Sequence, residues 1–92
     1  MTMERRKHFR IQVYLPMLYS YINGNGSVSC EGTTLNFSDA GICFYSATPL
    51  LTGLNLEVNI THIWDSPKKS VVRWCSRKMV NPELYKVGVS FQ

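Results

Sequence analysis

Two short segments hold most of the side chains that could do chemistry. Arg5-Arg6-Lys7-His8-Phe9-Arg10 places three guanidinium groups at the start of the first apolar run, with Arg6 and Arg10 four residues apart. A guanidinium is planar, permanently charged and forked. It donates paired hydrogen bonds to phosphate or to the O6/N7 edge of guanine, and it stacks on flat rings. The second segment is Asn36-Phe37-Ser38-Asp39-Ala40-Gly41. In an extended chain Asn36 and Ser38 project from one face and Phe37 from the other. That predicts Phe37 anchored in a core, with an amide and a hydroxyl presented outward. Gly41 lets the chain turn sharply and lets a ligand approach the backbone. Each segment also has a plainer reading, as a solvated basic tail and as a polar hairpin turn.

Charge favours a small anionic partner. Between Met1 and Arg10, four basic residues stand against one acid, giving +3; the rest of the chain, with six against five, carries only +1 of the total of +4. A nearly neutral body with a basic N-terminal end disfavours a long groove for duplex nucleic acid and fits a local anion site. Other chemistries lack their residues. Cys30, Cys43 and Cys75 are odd in number and form no C-x-x-C pair, so neither a disulfide framework nor a cysteine zinc site is expected, and a reducing cytoplasm is the natural home. His8 and His62 form no metal-ligand pattern. The surroundings of Ser38 are not G-x-S-x-G, and Glu31, Asp39, Glu57, Asp65 and Glu83 show no paired arrangement for acid–base work, so no enzyme and no metal or other cofactor is expected. No apolar run reaches the length of a membrane span.

The elements that must position these residues have a period of two. The 92 residues suffice for one domain over 1–92, with 1–8 as a flexible tail. Phe9, Ile11, Val13 and Leu15 alternate with polar or exposed positions and predict a strand that ends or bends near Pro16, with extended structure resuming from Met17 to Ile22. Asn23-Gly24-Asn25-Gly26 is a turn signal. Further strands are predicted over Val28–Phe37, Ile42–Tyr45, Leu54–Ile60, Lys69–Cys75, where Val72 and Trp74 share a face opposite Val71 and Arg73, and Tyr85–Phe91. No helical stripe occurs. Six short strands with turn punctuation predict an all-β protein, a six-stranded antiparallel barrel or a small sandwich.

Together the two segments resemble the PilZ domain. R-x-x-x-R at Arg6–Arg10 is followed by N-x-S-x-x-G at Asn36–Gly41, in the order of the family pattern. Val72-Arg73-Trp74 resembles the family's V-x-W, and Tyr85–Phe91 resembles its closing strand. The likeness extends from Arg5 to Phe91. It implies a six-stranded antiparallel β-barrel that binds cyclic di-GMP and changes conformation to regulate a protein partner in motility, biofilm or polysaccharide pathways. It further implies that Arg6 and Arg10, with Arg5 beside them, hold phosphate and guanine. Asn36 and Ser38 would bond the other side of the ligand, Gly41 would be the turn glycine, and Trp74 would lie near a guanine. Two departures stand out: Ser70 occupies a position that is often Gly, and no helix follows the last strand before Gln92.

Two other functions suit the same composition. A nucleotide-independent protein-interaction module would use exposed aromatics at Tyr14, Tyr19, Tyr21 or Tyr45. A single-stranded nucleic-acid binder would use aromatics and basic residues on a small barrel, against which the body charge of +1 argues.

Overall fold

The structure, a computed structural model, describes residues 10–92. Six strands account for most of it: β1 Ile11–Asn23, β2 Gly26–Phe37, β3 Gly41–Ser46, β4 Asn55–Asn59, β5 Lys68–Met79 and β6 Leu84–Phe91. All neighbours are antiparallel. The order β1-β2-β3-β6-β5-β4 closes on itself as a barrel, with no helix among the described residues. Closure removes the unpaired edges that an open sheet of this composition would expose.

Local sequence explains most of the boundaries. β1 and β2 are joined by the two-residue loop Gly24-Asn25, with Asn23 opposite Gly26 and Gly24 at a φ of 64°. A glycine at the first central position accepts that angle without a Cβ clash and matches the twist of the flanking strands. The expected break at Pro16 does not occur, and β1 runs through it. The pairing of β1 with β4 covers only Leu18–Ser20, so Pro16 sits where the strand has a partner on one side only and a missing N–H is tolerated. The irregularity falls earlier, as a register shift between Gln12 and Leu15. Ile11, expected to point inward with Val13 and Leu15, is 54% exposed beyond that shift. The predicted start of the strand at Phe9 and the tail over 1–8 lie outside the described residues.

The core lies inside the barrel. Met17 and Tyr19 of β1, Ile42 and Phe44 of β3, Leu56 and Val58 of β4, Val72 of β5 and Tyr85, Val87 and Val89 of β6 form one cluster, joined by Leu50 and Ile60 from the loops. Tyr19 is therefore core and unavailable to any surface patch, and its ring meets Phe44 with centroids 5.1 Å apart. Its hydroxyl bonds Ser46 Oγ at 2.6 Å, and Ser46 in turn donates to the carbonyl of Thr48 at 2.6 Å, so Tyr19 is the donor of the first bond. Burial pushes the Tyr19 phenol above its ordinary 10.0, against the opposing pull of Ser46 and Thr48. Trp64 fills the end of the barrel where β2 and β6 finish, edge-on to Phe37 at 6.0 Å and to Phe91 at 5.6 Å.

Candidate functional site

The outer surface over β3 carries the candidate site, and strand register builds it. Gln12 pairs with Asn36, Asn36 with Cys43, Cys43 with Gly88, and Gly88 with Trp74. One cross-strand row thus crosses five strands, β1-β2-β3-β6-β5. Ile42 and Phe44, and Val87 and Val89, belong to the core, so Cys43 and Gly88 between them face outward.

Two β-bulges put the ends of the row on that face. A shift between Thr34 and Asn36 leaves Leu35 as the extra residue of β2, and another between Val72 and Trp74 leaves Arg73 as the extra residue of β5. An extra residue in one strand reverses the alternation beyond it. Val72 therefore points into the core while Trp74 is 43% exposed, which corrects the expectation that the two share a face. The Trp74 indole lies on Gly88: a Cβ there would run into its Nε1 and Cε2.

A concavity of about 460 Å³ follows the row. That size lies within the roughly 300–1,000 Å³ of small-molecule sites. Its walls include Arg10, Gln12 and Asn36 on one side and Arg73, Trp74, Lys86 and Ser90 on the other, above a floor with Gly41, Cys43 and Gly88. Among the described residues its cations are Arg10, Arg73 and Lys86, and no carboxylate lines it. Burial raises the Cys43 thiol above its ordinary 9.0, and the charges of Lys86, Arg10 and Lys78 pull the other way, so the positive field reaches the floor.

The structure brings together part of the predicted constellation. Arg10 Nη1 donates to Asn36 Oδ1 at 2.7 Å, joining the two sequence segments directly. Gly41 lines the floor, but its φ is not positive. It is needed for packing, because a Cβ there would collide with the carbonyl oxygen of Val89. Trp74 forms the far wall. Ser38, expected to project outward beside Asn36, is 6% exposed and does not line the concavity. Its Oγ accepts the Ala40 N–H at 3.1 Å and its N–H donates to the Gly41 carbonyl at 2.9 Å, so it shapes the turn that delivers Gly41. Arg5 and Arg6 lie outside the described residues.

Arg73, Lys86 and Ser90 were not singled out in the sequence. Arg73 Nε donates to Ser90 Oγ at 2.7 Å across the β5–β6 pair. Strict alternation puts Lys86, Gly88 and Ser90 on the outer face of β6 and Arg73 opposite inward Val72 on β5, so that signal was present; only the outward turn of Trp74 depends on the bulge. A second concavity, of about 340 Å³, lies across β1, β4 and β5 around Ser20, Ile22, Asn55, Glu57 and Lys69. There Glu57 stands directly opposite Lys69, which leaves little net charge for an anion. Among the described residues no cluster of His, Cys, Asp or Glu could hold a metal ion, and no helix is long and apolar enough to cross a membrane.

Solved structures share this barrel. The Bacillus subtilis inhibitor of motility MotI/DgrA superposes with a TM-score of 0.71 at 16% identity, covering 98% of this chain and 44% of that one. The K. pneumonia MrkH–c-di-GMP complex gives 0.69 at 14%, covering 98% and 45%. The PilZ domain of Escherichia coli YcgR with c-di-GMP gives 0.68 at 18%, covering 96% and 78%. The chain thus spans less than half of the first two proteins and most of the isolated YcgR domain. No curated protein sequence matches it. The arginine and asparagine segments meet on the outer face of a six-stranded barrel, and the PilZ domain model matches residues 4–92: the chain belongs to the PilZ domain family.

Proposed function

We propose that this chain is a receptor module for cyclic di-GMP. The observation that carries the reading is the 2.7 Å contact of Arg10 with Asn36 at the edge of a concavity lined, among the described residues, by three cations and no acid. Cyclic di-GMP has two phosphates and two guanines. Phosphate asks for guanidinium and ammonium groups, and guanine asks for a fork and a flat surface. MrkH and YcgR, which share the barrel, are seen in complex with that nucleotide.

In this reading Arg10 exchanges part of its bond with Asn36 for the ligand, and Arg5 and Arg6 add guanidinium groups from the N-terminal side. Asn36 bonds the ligand across from them. Ser38 holds the turn. Gly41 keeps the floor low, and Trp74 supplies a stacking surface. Binding draws the N-terminal segment onto the barrel, and a protein partner in the cytoplasm reads the altered surface. The chain acts as a receptor and catalyses nothing. Two or three charge-assisted hydrogen bonds of about 1.5–3 kcal/mol each account for much of a micromolar affinity, near −8 kcal/mol.

Isothermal titration with cyclic di-GMP tests this. A saturable heat, with shifts in the amide resonances of Asn36, Cys43 and Gly88, is expected. Absence of both at millimolar nucleotide would overturn the proposal and leave the barrel as a nucleotide-independent interaction module.

A further inference from the structure

We propose that Arg73 reads the O6/N7 edge of a guanine stacked on Trp74, and so is a base-specificity residue outside the two sequence segments described above. This rests on the cyclic di-GMP reading of the same concavity.

Four observations carry it. Arg73 and Trp74 are adjacent; Arg73 faces outward opposite inward Val72, and the bulge between Val72 and Trp74 turns Trp74 to the same side, so both line the concavity. The indole lies over Gly88 and is 43% exposed. The Arg73 guanidinium is tethered through Nε to Ser90 Oγ, two residues from Gly88 on β6. Those two positions are about 7 Å apart along a strand, close to the width of a purine. A base laid on the indole therefore turns an edge toward the guanidinium. Finally, the tether uses only Nε. Among the described residues both Nη groups keep their donors, fixed in the plane that Ser90 sets.

That arrangement suits a base edge better than a phosphate. A phosphate accepts a point charge as well as a fork, and Lys86 supplies one on the other side of Gly88. Guanine offers two adjacent acceptors, O6 and N7, to a planar fork; adenine replaces one with a donor. The ligand has two equivalent halves, and among the described residues the site has two anchored guanidinium groups. Arg10 is bonded to Asn36 on β2, Arg73 to Ser90 on β6, and β3 lies between. Two strand spacings across and two residues along put these anchors about 12 Å apart. Arg10 and Arg73 thus face opposite halves of one cyclic dinucleotide.

The test compares cyclic di-GMP with its 7-deaza analogue, which lacks N7 but keeps both phosphates, by isothermal titration on the full chain. Arg73→Ala should weaken cyclic di-GMP about tenfold or more, without lowering the melting temperature of the free protein. It should also distinguish the two ligands several-fold less than wild type does. Arg73→Lys should not restore the discrimination, because an ammonium has no fork. Ser90→Ala, which frees the guanidinium, should lower affinity in the same direction by a smaller factor. Unchanged affinity in Arg73→Ala overturns the proposal. So does a loss equal for both ligands, which would make Arg73 a phosphate contact. A wild-type protein that binds neither ligand overturns the receptor reading beneath it instead.

Discussion

Arg10 and Asn36 are 26 positions apart in sequence and 2.7 Å apart in space, and neither contributes to the core cluster. Their loss should therefore separate binding from stability. Arg10→Ala is expected to weaken cyclic di-GMP about tenfold or more, the cost of a lost forked contact, while thermal melting of the free protein stays unchanged. Ser38→Ala should show a different pattern. Its Oγ accepts a backbone N–H at a buried turn, so chemical denaturation should show a loss of about 1 kcal/mol, with a smaller effect on affinity than Arg10→Ala. Cys43, 5% exposed with its pKa raised by burial, should react with a thiol reagent more slowly than half-buried Cys30 and Cys75. Saturating nucleotide over the floor should slow it further.

β5 and β6 make the far wall through one irregularity. The bulge at Arg73 and the absence of a side chain at Gly88 act together: the first turns Trp74 outward and the second lets it lie down. Gly88→Ala should lift the indole off the sheet. The expected readout is a shift of the Trp74 indole N–H resonance, with weaker nucleotide binding and little loss of stability, since the ring is the mobile end of a long side chain. Gly41→Ala should behave otherwise. Its clash is with the backbone of β6, so the β3–β6 pairing must yield and denaturation should show the cost.

The barrel as a whole is held by its interior. Phe44 is fully buried between strands on both sides of the core, and Phe44→Ala should destabilise the fold by about 3–5 kcal/mol, a large share of the stability of a small domain. Nucleotide at a hundred times its dissociation constant should add about 2.7 kcal/mol by mass action, and this gain should shrink in Arg10→Ala at the same concentration. Alkali should act through Tyr19. Its phenol titrates above 10.0 in the folded protein because burial disfavours the phenolate. The unfolded chain therefore loses that proton first, and stability declines as the pH rises above about 10. Tyr19→Phe should flatten that decline, measured by urea denaturation across the alkaline range.

Alternation of apolar and polar residues was enough to place six strands, and Asn23-Gly24-Asn25-Gly26 to place the first hairpin, because side-chain direction and turn angles are local properties of the chain. The PilZ pattern at Arg6–Arg10 and Asn36–Gly41 located one wall, through Arg10 and Asn36, and part of the floor, through Gly41. Interruptions to the alternation escaped that reading: strand continuity through Pro16 and the outward turn of Trp74 beside inward Val72. A bulge adds one residue to a strand relative to its partner and leaves no local mark, so only the pairing of β5 with β6 reveals it. Ser38 likewise reads as an outward hydroxyl until the turn to Gly41 folds it back onto the Ala40 amide. Pairing across β1-β2-β3-β6-β5 brings the Arg10, Asn36, Arg73 and Lys86 side chains around one floor, because cross-strand neighbours are set by register between distant segments and not by spacing along any one of them.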